Sequence, residues 1–271
     1  MKAENSRPRY YDAHCHLQDQ RLEPWLAEVG VEKIAESGIR KLVVNGTHPD
    51  DWDRVEWLGS RYDFVLPSYG LHPWRVGDCP GDWKKALRDR VGNGRAAIGE
   101  IGLDRWIDDY DIEAQSDAFL YQLRLAREFD LTVSIHCIRA WGLLVELLET
   151  EMIPSRGFLL HSYGGPAEMV DRFAALGARF SFSGYFALDK ASAKREAFKC
   201  VPVDRLLVET DAPDMLGPNE TVSERLFDGS DQPINAPTNL PCIYAYAARL
   251  KGMDLDTFGA VVESNFKAFF E

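Results

Sequence analysis

The sequence predicts an α/β protein, a TIM-type (β/α)8 barrel folded as a single domain over residues 1–271. Three observations lead there. Short, apolar, β-rich runs alternate with amphipathic helical stretches, the pattern of βα units and a parallel sheet. Eight such runs occur, each followed by a helical stretch, which is the count of a closed (β/α)8 barrel. A length of 271 residues exceeds the usual single domain yet suits one barrel, and it buries a large core without covalent staples.

Taken in order, the strand candidates are 11–14 (Tyr-Asp-Ala-His), 41–45 (Lys-Leu-Val-Val-Asn), 64–70, 96–100, 132–136 (Thr-Val-Ser-Ile-His), 157–161, 179–182 and 206–209. Helices fill the gaps at 24–37, 50–62, 82–90, 111–129, 141–151, 166–176 and 190–199, and a final pair at 240–250 and 255–270 closes the chain. One long connection, 212–239, is rich in Pro, Gly, Asn and Asp and reads as irregular. Loops of that length in a compact domain are usually functional or mobile, and this one is expected over the barrel mouth. There is no low-complexity tract, linker-like Gly/Ser run or sequence repeat.

The composition, 45% hydrophobic and 27% charged, is that of an ordinary globular protein. No apolar window reaches the length of a membrane span, and the polar start of the chain has no apolar core of a secretory signal. Five cysteines (Cys15, Cys79, Cys137, Cys200 and Cys242) are odd in number, scattered and without a C-x-x-C. They read as reduced thiols of a cytoplasmic protein rather than a disulfide framework, with Cys15 and Cys137 as packing residues. No membrane association and no obligate protein partner is expected. A net charge of −12 argues against a protein that coats nucleic acid, but bound divalent cations would make a pocket locally positive and leave a phosphate substrate open.

The chemistry begins at Asp12-Ala13-His14-Cys15-His16. Alternate residues of a strand share a face, so two imidazoles emerge together and form the beginning of a metal site. An isolated H-x-H more often just ends a strand. The remaining strand ends decide otherwise: Glu100 after the fourth, His136 after the fifth, His161 after the sixth and Asp211 after the eighth. Barrel enzymes place their chemistry at the C-terminal strand ends. Each residue has an ordinary reading alone, a core histidine, a helix cap or a solvated carboxylate, but together they form a set. Six ligands suit two divalent cations per chain, Mg, Mn or Zn, sharing Glu100 as a bridge. One would take His14, His16 and Asp211; the other would take His136 and His161. Two such ions clamp a phosphoryl group and acidify a shared water. Asp211 lies beside that water as general base. His48, in the loop after the second strand, matches no ligand position.

These residues resemble a known family. Asp12 with His14-Cys15-His16, Gly99-Glu100-Ile101-Gly102-Leu103-Asp104, His136, His161-Ser162-Tyr163-Gly164-Gly165 and Glu209-Thr210-Asp211-Ala212-Pro213 are similar to the TatD-type metal-dependent deoxyribonucleases of the amidohydrolase superfamily. The resemblance runs from Asp12 to Asn265-Phe266 and includes Gly70-Leu71-His72-Pro73. It implies a TIM-type barrel and metal-dependent phosphodiester hydrolysis, often 3′→5′ removal of nucleotides from single-stranded DNA. It assigns metal roles to the same six residues and implies that His72 contacts the substrate phosphate. Trp74 and Trp106 follow two site loops and are candidates to stack on bases.

Three departures fall on the substrate side. Many relatives carry Arg two residues after the fifth-strand histidine, whereas here Arg139 stands three on. Asp214 replaces a usual aromatic residue, and Ile234-Asn235-Ala236-Pro237 lacks the basic and acidic residues of a late motif. These positions are expected to touch substrate. Two functions therefore stand. The first is a phosphodiesterase, a 3′→5′ exonuclease-type deoxyribonuclease with DNA or another phosphodiester as transient partner. The alternative is an amidohydrolase-type enzyme cleaving an amide, lactone or ester of a small molecule at the same metal site.

Overall fold

The computed structural model describes residues 9–92 and 96–271. The polar N-terminal stretch that argued against a secretory signal lies largely outside the described residues. Eight parallel strands form one sheet in sequential order: β1 (Tyr10–Cys15), β2 (Ile39–Asn45), β3 (Val65–Tyr69), β4 (Ala97–Asp104), β5 (Val133–Ile138), β6 (Phe158–Leu160), β7 (Ala178–Phe182) and β8 (Leu206–Val208). The predicted (β/α)8 barrel is the observed one. Its strands are almost wholly buried because helices cover the outside and side chains fill the inside, as in parallel sheets generally.

Helices occupy the gaps. α1 (Glu23–Trp25) runs through a wide turn at Leu26–Gly30 into α2 (Val31–Glu36). There follow α3 (Pro49–Arg61), α4 (Trp83–Val91), α5 (Ile112–Glu128), α6 (Trp141–Thr150), α7 (Val170–Ala175) and α8 (Ser192–Cys200), and then α9 (Leu240–Leu250) and α10 (Leu255–Phe270). Polar caps fix several starts. The His48 side chain accepts from Asp50 N–H ahead of α3, Asp111 from Ala114 ahead of α5, and Asp254 from Thr257 ahead of α10. His48 is therefore a helix cap, consistent with its lack of a ligand position. None of these helices is long and apolar enough to cross a membrane.

Two elements differ from the sequence reading. The 212–239 connection is not wholly irregular, because it holds an antiparallel hairpin of β9 (Arg225–Phe227) and β10 (Pro233–Asn235). β4 also continues past Glu100 to Asp104, so Glu100 lies within the strand rather than at its end. A shift in the β4–β5 register between Ile98 and Ile101 accommodates this, taking Glu100 out of the regular ladder.

The barrel closes between β8 and β1. Asp211 N–H donates to His14 O at 2.9 Å and His16 N–H to Ala212 O at 2.8 Å. The buried Asp12 side chain bonds both Thr210 N–H (3.0 Å) and the Thr210 hydroxyl (2.5 Å). The seam that closes the barrel therefore also sets the relative positions of His14, His16 and Asp211.

Candidate metal centre

Glu100 stands at the middle of the mouth, and its two oxygens face different residues. Oε2 lies 3.3 Å from His14 Nε2 and 3.2 Å from His16 Nε2. Oε1 lies 3.0 Å from His136 Nδ1 and 2.8 Å from His161 Nε2. Asp211 Oδ1 completes the first group, 3.4 Å from His16 Nε2 and 3.7 Å from His14 Nε2. All six predicted ligand residues thus meet around one carboxylate, with His14 and His16 nearest one oxygen, His136 and His161 nearest the other, and the His14 and His161 rings stacked at 4.0 Å between the two groups. Gly70 permits this crowding: a Cβ there would stand 2.6 Å from Glu100 O and 2.7 Å from Glu100 N.

The proton positions show what the cluster can hold. His16 Nδ1 is 2.8 Å from the carbonyl oxygen of Asn45, which only accepts, so Nδ1 carries the proton and Nε2 turns a lone pair inward. His136 Nε2 is 2.7 Å from Asp104 Oδ2, which leaves Nδ1 bare towards Glu100. Glu209 Oε1 faces His161 Nδ1 at 3.6 Å, beyond hydrogen-bond range, and acts on that ring through its charge. Imidazole lone pairs and carboxylate oxygens then confront each other at hydrogen-bond range. Either an extra proton on each ring or a cation among them relieves this repulsion. Burial draws the His16 imidazole down, yet Asp211 and Glu100 outweigh it and hold it well above its usual range. The same holds for His161 beside Glu100 and Glu209. Burial pushes Glu100 up, but His161, His72, His136 and His14 bring it well below the carboxylate range. The pocket therefore demands positive charge, and its mixed nitrogen and oxygen donors fit divalent cations.

His72 is different. Its Nδ1 accepts from Trp74 N–H at 3.2 Å, so Nε2 carries the proton, 3.3 Å from Glu100 Oε1. Burial pulls it down to about 4, so the ring is neutral at physiological pH. Proximity alone groups His72 with Glu100 and His136 as a possible cation site, but its tautomer makes it a hydrogen-bond donor.

The family model for TatD related DNase matches residues 11–271. The chain belongs to the TatD family. It is similar to the uncharacterized metal-dependent hydrolase YjjV of Escherichia coli, with 31% identity over 212 residues that cover 76% of this chain and 80% of the relative. The crystal structure of YjjV superimposes with a TM-score of 0.87 over 97% of this chain and 98% of that one. It is also 28% identical over 242 residues to the 3′-5′ ssDNA/RNA exonuclease TatD of Shigella flexneri, covering 89% of this chain and 91% of the relative. The chain is thus a TatD-family metal-dependent hydrolase.

In this TatD-family chain several supporting residues escaped the sequence reading as site residues. Asp104 bonds His136 and Glu209 faces His161 across 3.6 Å; both stand in the quoted motifs, four residues after Glu100 and two before Asp211. Ser134 Oγ lies 2.7 Å from His14 Nδ1. Glu209 is itself gripped by the hydroxyls of Ser162 and Ser181. From outside the barrel, Gln115 and Gln122 reach inward from one face of α5. Gln115 brackets Asp104 through its N–H (2.8 Å) and C=O (3.0 Å), and Gln122 brackets Leu71, next to His72, at 2.7 and 3.2 Å. Two buried glutamines seven residues apart in an amphipathic helix were the available signal.

The predicted substrate-side residues fare unequally. Trp74 and Trp106 come together on the rim with ring centroids 6.4 Å apart, and Trp74 also packs edge-on to His72 at 5.0 Å. Both indoles are about half exposed. Arg139 is exposed, with φ of 56°, and makes no hydrogen bond or ion pair among the described residues. Asp214 forms a two-pronged pair with Arg21 at 2.9 and 2.8 Å. The expectation of substrate contact fails for Asn235 and Ala236, which are buried. Asn235 Nδ2 donates to Thr210 O and its Oδ1 accepts from Asn239, so it ties the hairpin to the strand that leads into Asp211.

Proposed function

We propose that the chain hydrolyses phosphodiester bonds of nucleic acid, removing nucleotides 3′→5′ from single-stranded DNA, with two divalent cations, Mg, Mn or Zn. The division of Glu100 between two groups of imidazoles carries this reading, because one carboxylate shared by two ligand sets is a dinuclear arrangement. His14, His16 and Asp211 would hold one cation, His136 and His161 the other, with Glu100 between them. When bound, such ions polarise a phosphoryl oxygen and lower the pKa of water.

The remaining work falls to the chain's own side chains. Asp211, buried beside His14 and His16, receives the proton of the attacking water. His72, neutral with its N–H directed to the centre, donates to a phosphate oxygen. The Trp74–Trp106 pair presents ring faces to a base beside the scissile phosphate, and the exposed Arg139, without an ion-pair partner among the described residues, supplies positive charge outside it. The exonuclease name of the Shigella flexneri relative supports this substrate class.

One observation favours the alternative, hydrolysis of an amide, lactone or ester of a small molecule. Arg21, near the mouth, is neutralised by Asp19 and Asp214 and so adds little attraction for a polyanion. The test is metal analysis of the purified protein joined to a cleavage assay on short single-stranded DNA with Mg, Mn, Zn or chelator. Metal-dependent release of 3′-terminal nucleotides supports the proposal. Turnover confined to esters, lactones or amides replaces it with the alternative.

A further inference from the structure

Lys194 occupies an unusual position for a cation in an acidic protein. It lies in the first turn of α8, on the loop side of β7, and its side chain crosses to the loop that follows β6. A Cβ placed on Gly164 would stand 2.8 Å from Lys194 Nζ, so the ammonium rests directly against that glycine. Nζ also sits 5.1 Å from the ring centre of the buried Phe186. No carboxylate lies within ion-pair distance of it among the described residues. Burial draws its pKa down, and the one charged-type neighbour acting on it is Tyr185.

The loop beneath this ammonium offers a second, independent feature. The backbone N–H groups of Gly164 and Gly165 donate to no acceptor among the described residues, whereas His161 and Ser162 lie in a turn and Ser162 N–H donates to Ser181 Oγ at 3.2 Å. The loop is held in shape from within, since Tyr163 is buried and its hydroxyl donates to Pro166 O at 2.8 Å. Consecutive unpaired amides in a turn are the donors from which proteins build anion-binding concavities, and the partly buried ammonium rests against one of these two residues. Gly164 is three residues from His161, so chain length keeps its Cα within about 11 Å of the Cα of that metal-centre histidine. In a barrel, loops past the C-terminal strand ends commonly supply phosphate sites.

We propose that Lys194 and the amides of Gly164 and Gly165 form a phosphate subsite beside the metal centre. It takes a neighbouring phosphate of the strand while another is cleaved at Glu100 and Asp211. This inference rests on the phosphodiesterase reading, and it makes the enzyme a reader of strands carrying more than one phosphate. Lysine and amide contacts add binding without touching the reacting bond, so they act on KM and leave kcat unchanged.

The experiment compares a trinucleotide, which has two phosphodiesters, with bis(p-nitrophenyl) phosphate, which has one. In Lys194→Gln the trinucleotide KM rises about tenfold, the loss expected for one charge-assisted contact, while kcat and the one-phosphate substrate are unmoved. Gly164→Ala gives the same result by pushing the flexible ammonium aside. Equal changes for both substrates, or no change for either, overturn the proposal. If the wild-type protein turns over neither substrate, the phosphodiesterase reading fails separately. Calorimetric titration with pyrophosphate then decides: weaker binding by Lys194→Gln supports the subsite, and equal binding overturns it.

Discussion

Asp104 and His136 lie on adjacent parallel strands, and Asp104 Oδ2 meets His136 Nε2 at 2.7 Å. The other oxygen of the same carboxylate accepts from Trp106 N–H at 2.6 Å and from Ile107 N–H at 3.3 Å. One side chain thus fixes the tautomer of an imidazole in the candidate metal centre and the start of the loop that carries a rim tryptophan. Burial pushes Asp104 up, but His136 and the Trp106 amide bring it below its ordinary value. It therefore stays ionised and keeps the proton on His136 Nε2.

Replacing Asp104 by Asn removes that anchor while preserving shape. Partners of this kind typically contribute 10–100-fold to metal affinity or activity. Asp104→Asn is expected to bind metal about 10–100-fold more weakly, with an unchanged circular dichroism spectrum. Metal titration of the purified variant checks this, and wild-type affinity would remove Asp104 from the centre.

Glu100→Gln and Asp211→Asn separate holding the cations from moving the proton. Glu100 faces both ligand groups, so its loss is expected to reduce metal content at both positions. Asp211 touches only the His14–His16 group, and its variant should retain metal between His136 and His161. Its cleavage of short DNA should fall by about 10²–10⁴ in kcat, the range for a lost general acid–base group. Full activity in either folded variant would point to another site or a contaminant.

Much of this was legible because barrel strands are local signals. The runs ending at His14, His136 and His161 read as strands from a few residues, and strand direction alone brought their ends to one mouth. What escaped depends on register between distant segments. Ser134 supports His14 across 120 positions, and no local spacing encodes that pairing. The hairpin of β9 and β10 was missed for a different reason. Its strands are three residues each, Pro233 opens one and the exposed Phe227 ends the other, so no alternating pattern marks them. Asn235 was read as a substrate position from its motif, but burial and its bond to Thr210 O make it structural.

Acid stability should depend on Glu224, away from the metal centre. Its carboxylate accepts from Lys33, from Trp25 Nε1 at 3.2 Å and from the Thr238 hydroxyl at 2.6 Å, joining the helices after β1 to the loop before α9. Burial pushes Glu224 up, yet these three donors bring it below its ordinary value of 4.5. A lowered folded pKa means the stabilisation is fully present above pH 4.5 and is lost as pH falls through the folded value. Glu224→Gln should be less stable than wild type at neutral pH, and the gap should close on acidification below that range. Urea unfolding of both proteins between pH 3 and 7 tests this; a gap that stays constant would assign the loss to packing alone.

Trp74 and Trp106 offer the sharpest division between a strand-binding enzyme and a small-molecule hydrolase. Their rings are tilted by 37° at 6.4 Å and open to solvent beside His72, an arrangement that leaves a ring face for a base. Stacking contributes about 1–3 kcal/mol per base, so Trp106→Ala should raise the KM for single-stranded DNA by about 5–150-fold. Hydrolysis of bis(p-nitrophenyl) phosphate, which has no base, should be unaffected by comparison. An oligonucleotide with an abasic terminal nucleotide isolates the contact further. On that substrate Trp106→Ala and wild type should converge, because the stacking partner is gone from both complexes. The effect of Lys194→Gln should persist there, because the phosphates remain. If Trp106→Ala instead weakens intact and abasic strands equally, the indoles only pack the rim, and base recognition lies elsewhere on the mouth.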